Sequence, residues 1–222
     1  MKIYENGKNW LIEDQLNSDL MKKINDLLDN NLNDLLKIKN GYSTRGENAQ
    51  QYWLIKKDNK NNFCFQNEEF KNIELEYRSK VLNRLKKSNI LNQSNQDKLL
   101  LKSKNCWSVI GEENSYHIPH FHNEGFFNGI STLVYLKVPE TNDDNIWENN
   151  LFLIMNSTTN NEFYYEKPKI IHINPVVGKI LIFPDWIIHG TCPQTKGIRQ
   201  TFNIDYYFDY KKDEKINKLN YV

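Results

Sequence analysis

The chain has 222 residues, long enough for one domain with a substantial core and too short for two of ordinary size. Its 29 Lys and Arg balance 28 Asp and Glu, so bulk charge draws it to neither nucleic acid nor an anionic membrane surface. Mean hydropathy is low at -0.73, yet the 13% of aromatic residues supply enough buried area per residue to exclude a disordered chain.

The first stretch, MKIYENGKNWLIEDQ, has no apolar leader segment, and no run of eighteen apolar residues follows anywhere. The expectation is a cytoplasmic protein without membrane attachment. Cys64, Cys106 and Cys192 are odd in number and widely spaced, which fits reduced thiols and no zinc or disulfide framework. From Ser18, apolar residues at Leu20, Met21, Ile24, Leu27, Leu28, Leu32, Leu35 and Leu36 predict an amphipathic helix closing at Gly41. Residues 40–53 carry turn formers and read as a loop, a surface connection or a substrate contact. A second helix is predicted through Phe70, Ile73, Tyr77, Val81, Leu82 and Leu85, and a short third after Ser94 around Leu99 to Leu101. Residues 1–104 thus read as mainly helical.

Beyond residue 104 the texture changes to short β-rich runs, among them CWSVIG, YHIPHFH, GISTLVYLKVP, LFLIMN, KIIHINP, GKILIFP and RQTFNIDYYFDY. Gly, Pro, Asn and Asp clusters separate them, as in a sandwich or barrel of antiparallel strands. The whole is expected to be a single domain, 1–222, with helices packed on a β core over 105–210.

HIPHFHNEG, residues 117–125, crowds three of the five histidines into six positions. Strand alternation turns His120 and His122 to one face and His117 to the other. Two neutral imidazoles on one wall suit a divalent transition metal, but two ligands hold an ion weakly. A third must come from His172, His189, His117 or a carboxylate, and His189 is the best placed. It stands in GKILIFPDWIIHG, after a strand ending at Pro184 and a turn carrying Asp185. Ten residues later, Arg199 and Thr201 share a strand face, where a bidentate guanidinium and a hydroxyl make a carboxylate receptor. Trp107 and Trp186 read as core or rim aromatics, His172 as structural, and Asp185 as a turn residue.

In this order, Trp107, His120-Phe121-His122, LVYLKVPE (133–140), GKILIFPDWIIHG (178–190) and RQTFN (199–203) resemble the 2-oxoglutarate and Fe(II)-dependent oxygenases, in particular the small ones of marine bacteria and phages. The resemblance covers about residues 105–208. It implies an α+β protein with a double-stranded β-helix, or jelly-roll, and N-terminal helices packed on it. It further implies Fe(II) held by His120, His189 and the residue in the slot of His122, with Arg199 gripping the distal carboxylate of 2-oxoglutarate, assisted by Thr201 and Tyr135. Such sites ordinarily use an Asp or Glu where this chain has His122; Glu124, two residues on, is a second candidate for that ligand. The implied activity is hydroxylation of a small-molecule or peptide substrate. Two other readings stand beside it: a cupin-like three-histidine metalloprotein without 2-oxoglutarate, which would not need Arg199 and Thr201, and a catalytically silent ligand-binding barrel.

Overall fold

The computed structural model describes residues 1–39, 43–46, 48–55, 67–90, 99–122, 129–140, 145–155 and 168–210. Two antiparallel sheets face each other. The larger has eight strands in the order β1 (Lys2–Asn6), β2 (Asn9–Gln15), β11 (Lys179–Pro184), β8 (Gly129–Lys137), β13 (Arg199–Tyr210), β6 (Leu99–Gly111), β5 (Gln50–Ile55) and β3 (Leu36–Lys39). The smaller has five, in the order β10 (Lys169–Ile173), β9 (Leu151–Met155), β12 (Ile188–Thr191), β7 (Tyr116–His120) and β4 (Thr44–Arg45). The arrangement is the expected double-stranded β-helix of an α+β protein.

The large sheet is covered on both faces, which is why β8 is buried along almost its whole length. Its alternate residues divide between two cores. Val134, Leu136, Ile180, Ile182, Phe202 and Ile204 face α1 (Ser18–Asn31) and α2 (Glu68–Ser88), where Leu20, Ile24, Phe70 and Tyr77 meet them. Leu133, Leu181 and Phe183 point the other way, into the space between the sheets, and pack on Leu151, Leu153, Met155, Ile171 and Ile173 of the small one. That second cluster reaches the inward faces of β7, β12 and the first half of β13, where the Phe183 ring stands 4.9 Å from that of His189.

The helix α2 is capped at both ends. The Asn67 side chain accepts from Phe70 N at 2.9 Å, Glu68 and Glu69 occupy the first turn, and Asn89 closes the helix at φ 59°. The first helix is shorter than its periodicity predicts. It ends at Asn31, and Leu36–Lys39 form β3, paired with β5, because Leu36-Lys-Ile-Lys alternates with period 2 and finds a sheet edge. Residues predicted as a loop contain β4 and the start of β5. No third helix forms at Leu99–Leu101, which opens β6 with Leu99 and Leu101 buried and Leu100 exposed. The N-terminal fifteen residues, for which no element was predicted, make the β1–β2 hairpin at the sheet edge. Among the described residues, five whole strands and the start of β6 therefore share the N-terminal part with two helices. Among the described residues no helix is long and apolar enough to cross a membrane.

Candidate active site

His120 and His189 are direct cross-strand partners on β7 and β12, and His122 lies two residues past His120 where β7 ends. Ring centroids are separated by 4.4 Å for His120 and His189, 5.1 Å for His120 and His122, and 4.8 Å for His122 and His189. The available ligand atoms of the three all lie within 4.8 Å of one another. Each Nδ1 is already engaged. His120 Nδ1–H donates to Ile118 O at 2.8 Å and His189 Nδ1–H to Ile187 O at 2.9 Å. His122 Nδ1–H is shared between Asp205 Oδ1 at 3.0 Å and Ser131 Oγ at 2.9 Å. These bonds set the tautomers and leave three Nε2 lone pairs free. Three neutral imidazoles so arranged fit a divalent iron ion.

Burial, reinforced by the neighbouring His122, brings the His120 imidazole down to about 4, and burial holds His189 well below its ordinary value. The unfolded chain takes up these protons near pH 6.5, whereas the folded chain resists until far lower. Stability contributed by these histidines is therefore complete above about pH 6.5 and is lost as pH falls toward 4. Urea unfolding of metal-free protein at pH 7.5 and pH 5 will show the midpoint dropping at the lower pH; equal midpoints would contradict the assignment.

His117 departs from simple alternation. His189 pairs with His120 but Thr191 pairs with His117, so β7 advances three residues against two on β12. This bulge, at Pro119, turns His117 inward with its ring 5.8 Å from His120 and its Nε2 3.2 Å from Thr44 Oγ1. Burial, followed by the charge of Arg199, keeps His117 neutral.

Arg199 is 6% exposed. Its Nη2 donates to Thr191 Oγ1 at 2.9 Å and its Nη1 to Asn149 O at 3.2 Å. Burial raises the Tyr135 phenol while Arg199 opposes the rise, and the Tyr135 hydroxyl is buried without a hydrogen-bond partner among the described residues. A buried guanidinium and a buried hydroxyl without a protein partner can together receive a carboxylate. Thr201 shares the strand face of Arg199 and pairs with Tyr135 across β8, but its Oγ1 accepts from Asn203 Nδ2 at 3.0 Å. The hydroxyl that touches the guanidinium is that of Thr191, two residues past His189 on the same face, a spacing from which alternation could have found it.

Three residues that sequence reasoning missed, Lys104, Ser131 and Asp205, hold His122. A register shift after Asp205 leaves Lys104 as the extra residue of β6. This bulge lets Lys104, itself buried, donate from Nζ to His122 O at 3.0 Å. Ser131 supplies the hydroxyl described above. Asp185 does more than turn the chain: its carbonyl accepts from His122 N at 2.8 Å. Its carboxyl is pushed up to about 6 by burial. Trp107 stands edge-on to His122 at 5.2 Å and tilts against Trp53 at 5.3 Å, forming an aromatic wall beside the cluster. His172 lies on β10 against Trp147 at 4.8 Å and takes no part. Glu124 and Cys64 fall outside the described residues; Cys106 and Cys192 are buried and form no disulfide among them.

Gly190 keeps His189 close to the neighbouring strands. A Cβ there would sit 2.7 Å from His117 O and 2.6 Å from the Phe152 ring. Gly190→Ala is expected to cost about 1–3 kcal/mol of stability, as overpacking does, read as a lowered denaturation midpoint.

Residues 105–205 match the family model described as "Putative 2OG-Fe(II) oxygenase", a span that contains the three clustered histidines, Tyr135, Arg199 and Thr201. No curated protein matches the chain. Among solved structures, a prolyl-4-hydroxylase from Pseudomonas putida is 12% identical, with 90% of this chain and 92% of that chain covered at a TM-score of 0.54. HygX from Streptomyces hygroscopicus, solved with nickel and 2-oxoglutarate bound, is 12% identical over 91% of this chain and 83% of that chain, TM-score 0.57. The non-heme alpha ketoglutarate dependent epimerase SnoN from nogalamycin biosynthesis is 10% identical over 93% and 80%, TM-score 0.62. These likenesses show the fold, a double-stranded β-helix. Over residues 105–205 the chain is similar to the 2OG-Fe(II) oxygenases.

Proposed function

We propose that the protein is a 2-oxoglutarate- and Fe(II)-dependent hydroxylase acting on a small-molecule or peptide substrate in the cytoplasm. His120, His122 and His189 hold Fe(II) through Nε2. Arg199, with Thr191 and the Tyr135 hydroxyl, receives the distal carboxylate of 2-oxoglutarate, and Thr201 lines the same face. Bound iron and 2-oxoglutarate supply the oxidising chemistry: O2 is consumed, 2-oxoglutarate becomes succinate and CO2, and one oxygen atom enters a substrate C–H bond. The protein's own part is positional. The Nδ1 bonds of the histidines keep Nε2 unprotonated, Lys104 and the Asp185 carbonyl clamp the His122 backbone, and the Trp53–Trp107 wall excludes water beside the cluster.

The observation that carries this reading is the convergence of three histidines, each with Nδ1 committed elsewhere, at the same end of the sandwich as a buried Arg199. The unsatisfied Tyr135 hydroxyl favours it over a cupin-like metalloprotein, which has no use for a buried carboxylate receptor. The test is succinate formation from 2-oxoglutarate by Fe(II)-reconstituted protein. Metal binding without 2-oxoglutarate binding would favour the cupin-like alternative, and failure to bind metal would favour a silent barrel.

A further inference from the structure

The metal centre described above lacks the carboxylate of the usual facial triad, since His122 occupies that place. A carboxylate is nevertheless present, on the far side of the His122 ring. Asp205 is 2% exposed and lies on the inward face of β13, the face that carries Arg199. Its Oδ1 accepts from His122 Nδ1–H at 3.0 Å and from Ser131 Oγ–H at 2.8 Å, and Ser131 is its Cα partner across β8. The other two histidines lean on neutral backbone carbonyls.

We propose that Asp205 is the positioning residue that lets an imidazole serve in the carboxylate's place. It fixes the His122 ring with Nε2 toward His120 and His189. Through the Nδ1–H bond it also returns to the ligand part of the negative charge that the centre gives up, because an imidazole hydrogen-bonded to a carboxylate is a more basic donor than one bonded to a carbonyl. Lys104 Nζ donates to His122 O and the Asp185 carbonyl accepts from His122 N, so the backbone is held as well as the ring. The inference rests on the proposed function, because it assumes that His122 is a ligand.

The test is a cycle of metal affinities, with Mn(II) followed by electron paramagnetic resonance and Co(II) by visible absorption. Asp205→Asn keeps the shape but removes the charge, and should raise the Kd for both ions about ten- to a hundredfold, the usual cost of losing an outer partner. In a His122→Asp background the sign should reverse. Asp205 then faces a like charge, so Asp205→Asn should leave affinity unchanged or improve it. Equal losses in both backgrounds, or no loss in the first, would overturn the proposal and leave Asp205 a structural residue. Failure of the wild-type protein to bind either ion would instead overturn the functional reading. Should the variants not fold, nitrogen NMR of His122 in Zn(II)-loaded wild-type protein decides: a protonated Nδ1 with metal on Nε2 supports the proposal, and metal on Nδ1 refutes it.

Discussion

Arg199→Ala will weaken 2-oxoglutarate binding by about 2–5 kcal/mol, the cost of leaving a buried carboxylate without its cation, and will leave metal affinity unchanged. Arg199 is deep between the sheets, and two of its nitrogens are steered by Thr191 Oγ1 and Asn149 O. Arg199→Lys will recover only part of the loss, because an ammonium cannot reproduce the planar fork. Titration of 2-oxoglutarate into Mn(II)-loaded protein measures all three proteins. Unchanged affinity in Arg199→Ala would remove the main reason to prefer an oxygenase over a cupin-like protein.

The second large effect concerns the metal itself. Ala at His120, His122 or His189 will remove one of three ligands and lower Fe(II) affinity well beyond the ten- to hundredfold that a lost outer partner costs. His172→Ala, on β10 beside Trp147, will not change it. Equal retention of metal by all four variants, measured after desalting by elemental analysis, would sink the ligand assignment. The case of His122 separates two explanations. His122→Asp rebuilds a facial triad on paper, but in this fold it sets a new carboxylate near Asp205 and Asp185, so its affinity will be limited by repulsion unless one of those charges is removed.

The C-terminal half was legible because alternation and spacing survive there. The strands lie where the apolar runs put them, and H-x-H, the distant His189 and the inward Arg199 meet at one end of the sandwich. What alternation could not show was its own interruption. One bulge in β7 brings His117 to the face from which strict period 2 excludes it, and one in β6 brings Lys104 beneath His122. Neither leaves a mark in the pattern of apolar residues. In the N-terminal part, period 3.6 found both helices but ran through Asn31, because Leu32, Leu35 and Leu36 continue the apolar spacing while the backbone has already turned into β3. The β1–β2 hairpin was missed for a different reason: its fully buried residues, Leu11 and Ile12, are adjacent and serve opposite cores, so neither period stands out in so short a run.

The way the histidine cluster joins the two sheets has a physiological consequence. His120 and His189 belong to the small sheet, and His122 is tied through Asp205 to the large one. A bound ion would rivet the two layers together. Iron loading should then slow amide exchange along β7 and β12 while leaving β10 untouched. In an iron-starved cell this edge would breathe first, and proteases would clear the empty protein faster than the loaded one.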